Sequence, residues 1–326
     1  MNAPAAVTRG LAKATDSPPR RPRTALLAAP LLALAALLAP LAGCSSSLPA
    51  SPPPGKLQVT AAENFWGSIA TQLGGSKVAV TSIVTNPATD PHAYEPTAAD
   101  AIAFARSQLA IVNGIGYDNW AAKLLAANPS STRAVLDVGN LLGLGQDANP
   151  HQWYSPTSVQ RVIDQITADY QHLDPKNAAY FTQQRIAFQT RSLARYNRLH
   201  GEIHARYAGT PVGYSESVFA PLGQSLGLKL MTPYSFAKAI AEGADVSAAD
   251  KQTVDRQAED QAIKVWVYNS QNVTPDVQSV NQLARAAHIP TVTVTETLSP
   301  ASASFEQWQS AQLSALREAL HQATGR

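Results

Sequence analysis

Short apolar runs alternate with longer amphipathic stretches along most of the chain. The runs consist largely of β-branched and other apolar residues, which favour strands, and they lie at 57–60, 77–84, 108–112, 133–138, 211–214, 264–268 and 291–294. The stretches between them have helical spacing, for example at 65–73, 97–106 and 305–323. Strands that alternate with helices are typical of parallel sheets with crossover helices. The pattern therefore predicts an α/β protein.

A long segment with little to interrupt a helix separates the first four strands from the last three. It begins with Asp174-Pro175, a capping residue followed by a first-turn proline, and then contains no glycine or proline before Gly201. We expect one long, rigid linker helix over 174–207. It would join an N-terminal α/β lobe (56–173) to a C-terminal α/β lobe (208–326), with a cleft between them.

The N-terminal 43 residues have the features of a bacterial lipoprotein signal peptide. Three arginines precede an apolar run over 25–41, and Leu41-Ala42-Gly43-Cys44 ends the run with small residues before a cysteine. The run contains two prolines and is shorter than the about 20 apolar residues that a membrane-spanning helix needs. We therefore predict that residues 1–43 are removed, that Cys44 carries lipid, and that 44–55 form a flexible tether.

The charge balance changes once the signal peptide is set aside. The full chain has 25 Lys+Arg and 23 Asp+Glu, whereas the chain after residue 43 has 20 Lys+Arg against 22 Asp+Glu. No basic stripe with interleaved aromatic residues is present, so the sequence favours no nucleic-acid partner. Because Cys44 is the single cysteine, disulfide bonds within the chain and thiolate metal ligands are excluded.

Two proline-bounded loops carry the candidate chemistry. They read Asp90-Pro91-His92-Ala93-Tyr94-Glu95-Pro96 and Asn149-Pro150-His151-Gln152-Trp153-Tyr154-Ser155-Pro156. Proline fixes its own φ angle and restricts the residue before it, so each histidine lies on stiff backbone and loses little entropy on binding a ligand. Two such loops favour a metal site over a pair of unrelated turn histidines.

From about Leu57 to its C-terminus the sequence resembles the solute-binding lipoproteins of zinc and manganese ABC importers. That family has one metal histidine in an Asp-Pro-His-x-Tyr-Glu-Pro loop and a second in an Asp/Asn-Pro-His-x-Trp loop. The resemblance implies that His92 and His151 are ligands. It places Glu216 where the family has a third ligand, histidine or glutamate, and Glu296 where it has a fourth, usually aspartate.

Each of these four residues follows a predicted strand, and each lobe contributes two of them. Ligands of open α/β sheets bind outside the carboxyl ends of the strands, so the four loops can converge on the cleft. Two neutral imidazoles and two carboxylates also balance the charge of a divalent cation. Further residues near the strand ends or beside the histidines are expected to form the cleft wall or to support a ligand: Glu63, Tyr94, Asn113 and Trp153.

The resemblance implies a binding protein without enzymatic activity. Its cargo would be Zn²⁺ or Mn²⁺, or alternatively Fe²⁺, and its partners would be a membrane permease and a cytoplasmic ATPase. The sequence has no Gly-x-x-x-x-Gly-Lys-Ser/Thr loop for ATP. We expect a monomer that is secreted across the cytoplasmic membrane and anchored to its outer face by lipid.

Two alternative functions remain open from the sequence. Gly213-Tyr214-Ser215-Glu216-Ser217 follows a predicted strand and is similar to the Gly-x-Ser-x-Gly elbow of serine hydrolases, with the last glycine replaced. A hydrolase would use Ser215 as its nucleophile and would need a downstream histidine, of which only His288 and His321 are present. A surface adhesin on the same fold is the second alternative.

Overall fold

The computed structural model of the protein describes residues 55–326. The predicted signal peptide, Cys44 and the tether as far as residue 54 lie outside the described residues. Over 55–326, none of the helices combines the length and the hydrophobicity needed to cross a bilayer.

Within residues 55–326, eight strands form two parallel sheets of four strands each. The strands are β1 (Leu57–Glu63), β2 (Val78–Val84), β3 (Leu109–Val112), β4 (Ala134–Asp137), β5 (Pro211–Tyr214), β6 (Lys229–Leu230), β7 (Val265–Asn269) and β8 (Thr291–Val294). The first sheet has the order β2-β1-β3-β4 and the second has the order β6-β5-β7-β8. The prediction of an α/β fold with two lobes of parallel sheet is confirmed.

Twelve α-helices of the described part of the chain surround the sheets. They are α1 (Asn64–Gly74), α2 (Ala98–Arg106), α3 (Asn119–Ala127), α4 (Val138–Leu142), α5 (Pro156–Leu173), α6 (Ala178–Ala187), α7 (Ala194–Tyr207), α8 (Ala220–Ser225), α9 (Tyr234–Ala241), α10 (Ala248–Glu259), α11 (Pro275–Ala286) and α12 (Phe305–Thr324). Short 3₁₀ turns lie at Gly75–Lys77, Gln152–Tyr154, Pro175–Asn177 and Ser217–Phe219.

The two sheets have the same topology, which creates a crevice in each. In the first sheet β1 pairs with both β2 and β3, and in the second β5 pairs with both β6 and β7. The chain therefore turns to opposite sides after β1 and after β3, and likewise after β5 and after β7. Loops diverge at such a switch point and leave room for a ligand at the carboxyl ends of the strands.

Strand β6 was not predicted from the sequence. It comprises two residues, of which Lys229 is exposed and Leu230 is partly buried, and it pairs with β5 alone at the edge of the sheet. A strand this short shows no alternation of polar and apolar positions, so its pairing depends on the neighbouring strand.

The segment predicted as one long helix contains a π-helical turn. After the 3₁₀ turn, α6 runs into π-helical residues Phe188–Ser192, and α7 follows. Leu193 N–H donates to the Phe188 carbonyl at 2.9 Å, a bond that spans five residues. Both side chains are buried, and a regular α-helix would turn residues five apart to different sides. The wider turn thus keeps both on the inner face.

One continuous hydrophobic core runs through both lobes and the linker. It includes Trp66 of α1, Phe181 of α6, Leu199 of α7, Val267 of β7 and Trp308 of α12, all buried. An ion pair between Arg317 and Glu202 (2.8 Å) adds a polar contact between α12 and α7. Because this core is shared, the lobes are not independent bodies joined only by a linker.

Candidate metal centre

The four predicted ligands lie in loops at the carboxyl ends of strands. His92 follows β2, and His151 lies after β4, between α4 and α5. Glu216 comes two residues after β5, and Glu296 comes two residues after β8. The first two belong to one sheet and the last two to the other, so the region between them is bounded by both lobes.

Three of the four side chains converge. One possible ligand atom from each of His92, His151 and Glu296 lies within 4.8 Å of the other two. Imidazole nitrogen and carboxylate oxygen bind a metal such as zinc at about 2.0–2.2 Å, so atoms with this spacing can surround a single cation. His151 and Glu296 are buried, whereas His92 is exposed.

His151 is held by its neighbour Asn149. The Asn149 Oδ1 accepts the His151 backbone N–H at 3.0 Å and lies 2.8 Å from the ring Nδ1. A hydrogen on Nδ1 satisfies this acceptor and leaves Nε2 as the free, basic nitrogen. The Nε2 is buried and has no hydrogen-bond partner among the described residues. Burial, with the nearby His92 as a lesser cause, lowers the pKa of His151 well below its usual value, which keeps the ring neutral.

Glu216 joins the cluster through Asn269, the last residue of β7. The Asn269 Nδ2 donates to Glu216 Oε2 at 2.8 Å and to Glu296 Oε1 at 2.9 Å. The other oxygen of Glu216 is buried without a hydrogen-bond partner in the described part of the chain. Burial, followed by the charge of Glu296, raises the pKa of Glu216 well above its usual value. A cation at this position would offset both effects.

Tyr117 is a contact of the site that the sequence analysis did not identify. Its hydroxyl donates to Glu296 Oε2 at 2.9 Å, and its ring lies edge to face with the His92 ring at 4.5 Å. Burial, and next the charge of Glu296, raise the pKa of Tyr117 well above its usual value, so the hydroxyl keeps its proton. The available signal was its position, because it follows β3 at the switch point of the first sheet.

Aromatic rings form the inner wall of the site. Trp153 lies 5.1 Å from the His151 ring and stacks on Phe65 at 3.9 Å. Both are fully buried, so water has no access to this side of His151. Asn113 supports the same loop, since its Nδ2 donates to the Pro150 carbonyl at 3.0 Å.

Two further residues that the sequence suggested as wall or supporting residues, Tyr94 and Glu63, make no hydrogen bond to any of the four predicted ligands within residues 55–326. Tyr94 donates to Asp100 at 2.8 Å and packs against Trp120 at 4.8 Å, so its contacts are within the N-terminal lobe. Glu63, at the end of β1, is fully buried, and neither of its oxygens has a hydrogen-bond partner among residues 55–326. Burial, with the charge of Asp118 second, raises the pKa of Glu63 well above its usual value.

Ser215 has a supporting role that differs from that of a nucleophile. Its side chain is buried, and its Oγ accepts the backbone N–H of Asn269 at 3.0 Å. In residues 55–326, no hydrogen bond joins Ser215 to a histidine. The serine therefore fixes the strand end that carries Asn269.

A protein-family model described as "Zinc-uptake complex component A periplasmic" matches residues 59–319. The chain is 26% identical over 185 residues to the iron-binding protein YfeA of Yersinia pestis, a match that covers 53% of this chain and 58% of YfeA. It is 24% identical over 199 residues to the manganese-binding lipoprotein MntA of Halalkalibacterium halodurans, covering 57% of this chain and 63% of that protein. The chain thus spans about three fifths of the length of these curated relatives.

Solved structures share the fold. A Mn-bound periplasmic metal-binding protein from Candidatus Liberibacter asiaticus has a TM-score of 0.67 at 20% identity, over 81% of this chain and 100% of that one. The crystal structure of a ZnuA protein has a TM-score of 0.63 at 20% identity, over 82% of this chain and 99% of that one. At this level of identity the likeness concerns the fold alone.

Proposed function

The chain belongs to the family of the zinc-uptake complex component A, as the two histidine loops suggested, and from this we propose that it is the extracytoplasmic solute-binding protein of a divalent-metal ABC importer. It would capture the ion outside the cytoplasmic membrane and deliver it to a permease driven by a cytoplasmic ATPase. The observation that carries the proposal is the convergence of His92, His151 and Glu296 within 4.8 Å at the carboxyl ends of the strands.

We assign the metal to His92, His151, Glu216 and Glu296. The assignment is supported by two buried ligand atoms that have no hydrogen-bond partner among the described residues, His151 Nε2 and Glu216 Oε1. Buried polar atoms are otherwise nearly always paired, so a cation that reaches both would remove an energetic cost. Two neutral imidazoles and two carboxylates would also leave the loaded site without net charge.

The proposal is tested by thermal unfolding of the protein after its metal has been removed with a chelator. A ligand that binds the folded state alone stabilises it by about 4 kcal/mol at a thousandfold excess over Kd. We expect the melting temperature to rise clearly on addition of Zn²⁺ or Mn²⁺ and to fall again with chelator. An unchanged melting temperature with both ions would reject metal binding.

For the choice of metal, we propose a site that binds zinc more tightly but also accepts manganese or ferrous iron. Relatives named for different metals, iron for YfeA and manganese for MntA, agree with such a range. Carboxylates can bind through one or both oxygens and suit ions with five or six ligands, whereas zinc stands above manganese in the affinity series. Glu216→His should therefore weaken manganese binding more than zinc binding in a competition titration. If the affinities for the two ions change by the same factor, Glu216 is not a metal ligand.

We also propose that the protein is a monomer anchored by lipid on Cys44 at the outer face of the cytoplasmic membrane. Several relatives are named as lipoproteins, including the metal ABC transporter substrate-binding lipoprotein FimA of Streptococcus parasanguinis. One acyl chain gives only marginal membrane binding, so stable anchoring would need at least two. Cys44→Ala should release the protein into the soluble fraction, and retention on membranes after a high-salt wash would point to another anchor.

A further inference from the structure

Two backbone carbonyls of the loop that carries His92 accept hydrogen bonds from side chains elsewhere in the protein. We call residues 85–96 the His92 loop. On one side, Trp120 Nε1 in the same lobe donates to the Pro91 carbonyl at 3.2 Å. On the other side, Gln271 Nε2 in the C-terminal lobe donates to the Pro87 carbonyl at 2.6 Å. Over 55–326, this second bond is the only hydrogen bond that joins the His92 loop to the C-terminal lobe.

The same glutamine side chain also holds the backbone of Glu296. Gln271 Oε1 accepts the N–H of Glu296 at 2.7 Å and that of Thr297 at 3.2 Å. Its Nε2 donates a second bond to Thr297 Oγ1 at 2.9 Å. One amide therefore connects the loop that bears His92 to the segment that bears Glu296, with every polar atom of the amide in use.

Gln271 lies at one of the cavities that reach the site from the surface. A cavity of about 310 Å³ is lined by the His92 loop on one side and by residues of the C-terminal lobe on the other, including Gln271, Glu296 and Glu242. His92 is exposed here, whereas the opposite side of the cluster is closed by Trp153 and Phe65. An ion that leaves through this cavity passes between the His92 loop and the C-terminal lobe.

We propose that Gln271 is a latch that sets the rate at which the bound metal leaves. Its hydrogen bond to Pro87 keeps the His92 loop against the C-terminal lobe and so keeps the His92 imidazole within reach of an ion held by His151 and Glu296. Gln271 is a positioning residue and does not itself bind the ion. The inference rests on the proposed function, because it concerns release from the same site.

The chemistry of an amide allows the two functions of Gln271 to be separated. In Gln271→Glu, a carboxylate of nearly the same shape can still accept from Glu296 and Thr297 but can no longer donate to Pro87. In Gln271→Met, both sets of bonds are lost. A control is Gln257→Glu, because Gln257 Nε2 donates to the Met231 carbonyl at 2.7 Å within the C-terminal lobe alone.

The experiment measures release of Zn²⁺ from the loaded protein into excess chelator by stopped flow at pH 8, where a glutamate is ionised. Association is measured separately. Loss of one hydrogen bond of this kind corresponds to roughly a two- to tenfold change, and changes within one interface appear mostly in the dissociation rate. We expect Gln271→Glu to release zinc roughly two- to tenfold faster, with the association rate and the metal-free melting temperature near those of the wild type. Gln271→Met, which also leaves the backbone N–H groups of Glu296 and Thr297 without their acceptor, should release zinc at least as fast.

Every other outcome overturns the latch. Release from Gln271→Glu at the wild-type rate would show that the bond to Pro87 does not matter, even if Gln271→Met releases faster through displacement of Glu296. Equal acceleration by Gln257→Glu would assign the effect to added charge or to lower stability. A wild-type protein that fails to bind zinc or manganese at all would instead reject the proposed function, and the latch with it.

Discussion

The His92 loop and the His151 loop, the latter defined as residues 143–155, have the same local design but are held very differently by the rest of the protein. In each, an Asp or Asn two residues before the histidine accepts the histidine backbone N–H, at 2.9 Å from Asp90 and at 3.0 Å from Asn149. Each has proline in between. Yet His151 is fully buried and His92 is exposed.

The difference lies in long-range contacts. Asn149 also binds the His151 ring and donates through Nδ2 to the Ser217 carbonyl of the C-terminal lobe at 2.7 Å, whereas Asp90 makes one bond to its own loop. The His151 ring packs against Trp153, and Asn113 holds the preceding proline. A similar motif thus gives one proposed ligand that is fixed in the metal-free protein and one whose position depends on a surface loop. Three experiments test this contrast.

The largest effect should come from truncating the two histidines. His151→Ala and His92→Ala each remove a proposed ligand, so each should weaken zinc binding by more than the roughly 10- to 100-fold that loss of a supporting partner costs. In the metal-free protein, His151→Ala should lower the free energy of unfolding by about 2–4 kcal/mol because it leaves a buried cavity. His92→Ala should change it by less than about 0.5 kcal/mol. Denaturant titration measures both, and equal destabilisation would refute the contrast.

The next effect should come from the residues that support the histidines. Asn149→Ala removes the acceptor that orients the His151 ring and should weaken zinc binding by about 10- to 100-fold. Asp90→Ala removes one backbone hydrogen bond on an exposed loop, and we expect a loss below about tenfold. Isothermal titration in competition with a chelator measures the zinc affinity of both variants. A larger loss for Asp90→Ala would mean that the His92 loop is the better-ordered one.

The smallest effect concerns the pH dependence of metal-free stability. His151 has a pKa below its unfolded value of about 6.5, so the unfolded chain binds more protons. The contribution of His151 to the free energy of unfolding is complete above about pH 6.5. It is lost as the pH falls, by up to about 2 kcal/mol at pH 5. Relative to wild type, His151→Ala should lose this slope between pH 6.5 and 5, and His92→Ala should retain it.

The buried carboxyl groups act in the opposite direction, so the difference between variants is the informative quantity. Burial raises the pKa of Asp118 to about 6 and raises that of Glu63 as well, and the folded state then binds more protons than the unfolded chain. The contribution of these two carboxyl groups to the free energy of unfolding falls as the pH rises above about 4 towards their pKa in the folded state. If the two histidine variants have the same slope relative to wild type, His151 is not the source.

The sequence predicted the parts of the site that are encoded locally. His92 and His151 could be identified because proline, aspartate or asparagine, and an aromatic residue surround each within a few positions. Glu216 and Glu296 followed from the family resemblance together with their places after strands. Whether all four bind metal stays a prediction.

Two other supporting residues, Tyr117 and Gln271, could not be found in this way, because their partners are far away along the chain. Tyr117 contacts Glu296 across 179 positions, and Gln271 contacts Pro87 across 184. Nothing near Gln271 in the sequence distinguishes it from a solvent-exposed loop glutamine. Such contacts become visible only when the two sheets face each other.

The π-helical turn at Phe188–Ser192 makes the linker the equivalent of a regular helix with a single inserted residue. If one position between Phe188 and Leu193 is left out of the count, the buried side chains of α6 and α7 fall on the spacing of an uninterrupted α-helix. Phe181, Phe188, Leu193 and Tyr207, all buried, then lie along one stripe. A deletion of one residue within 189–192 should therefore be absorbed by conversion to α-helical geometry. We expect the shortened linker to bury the same side chains.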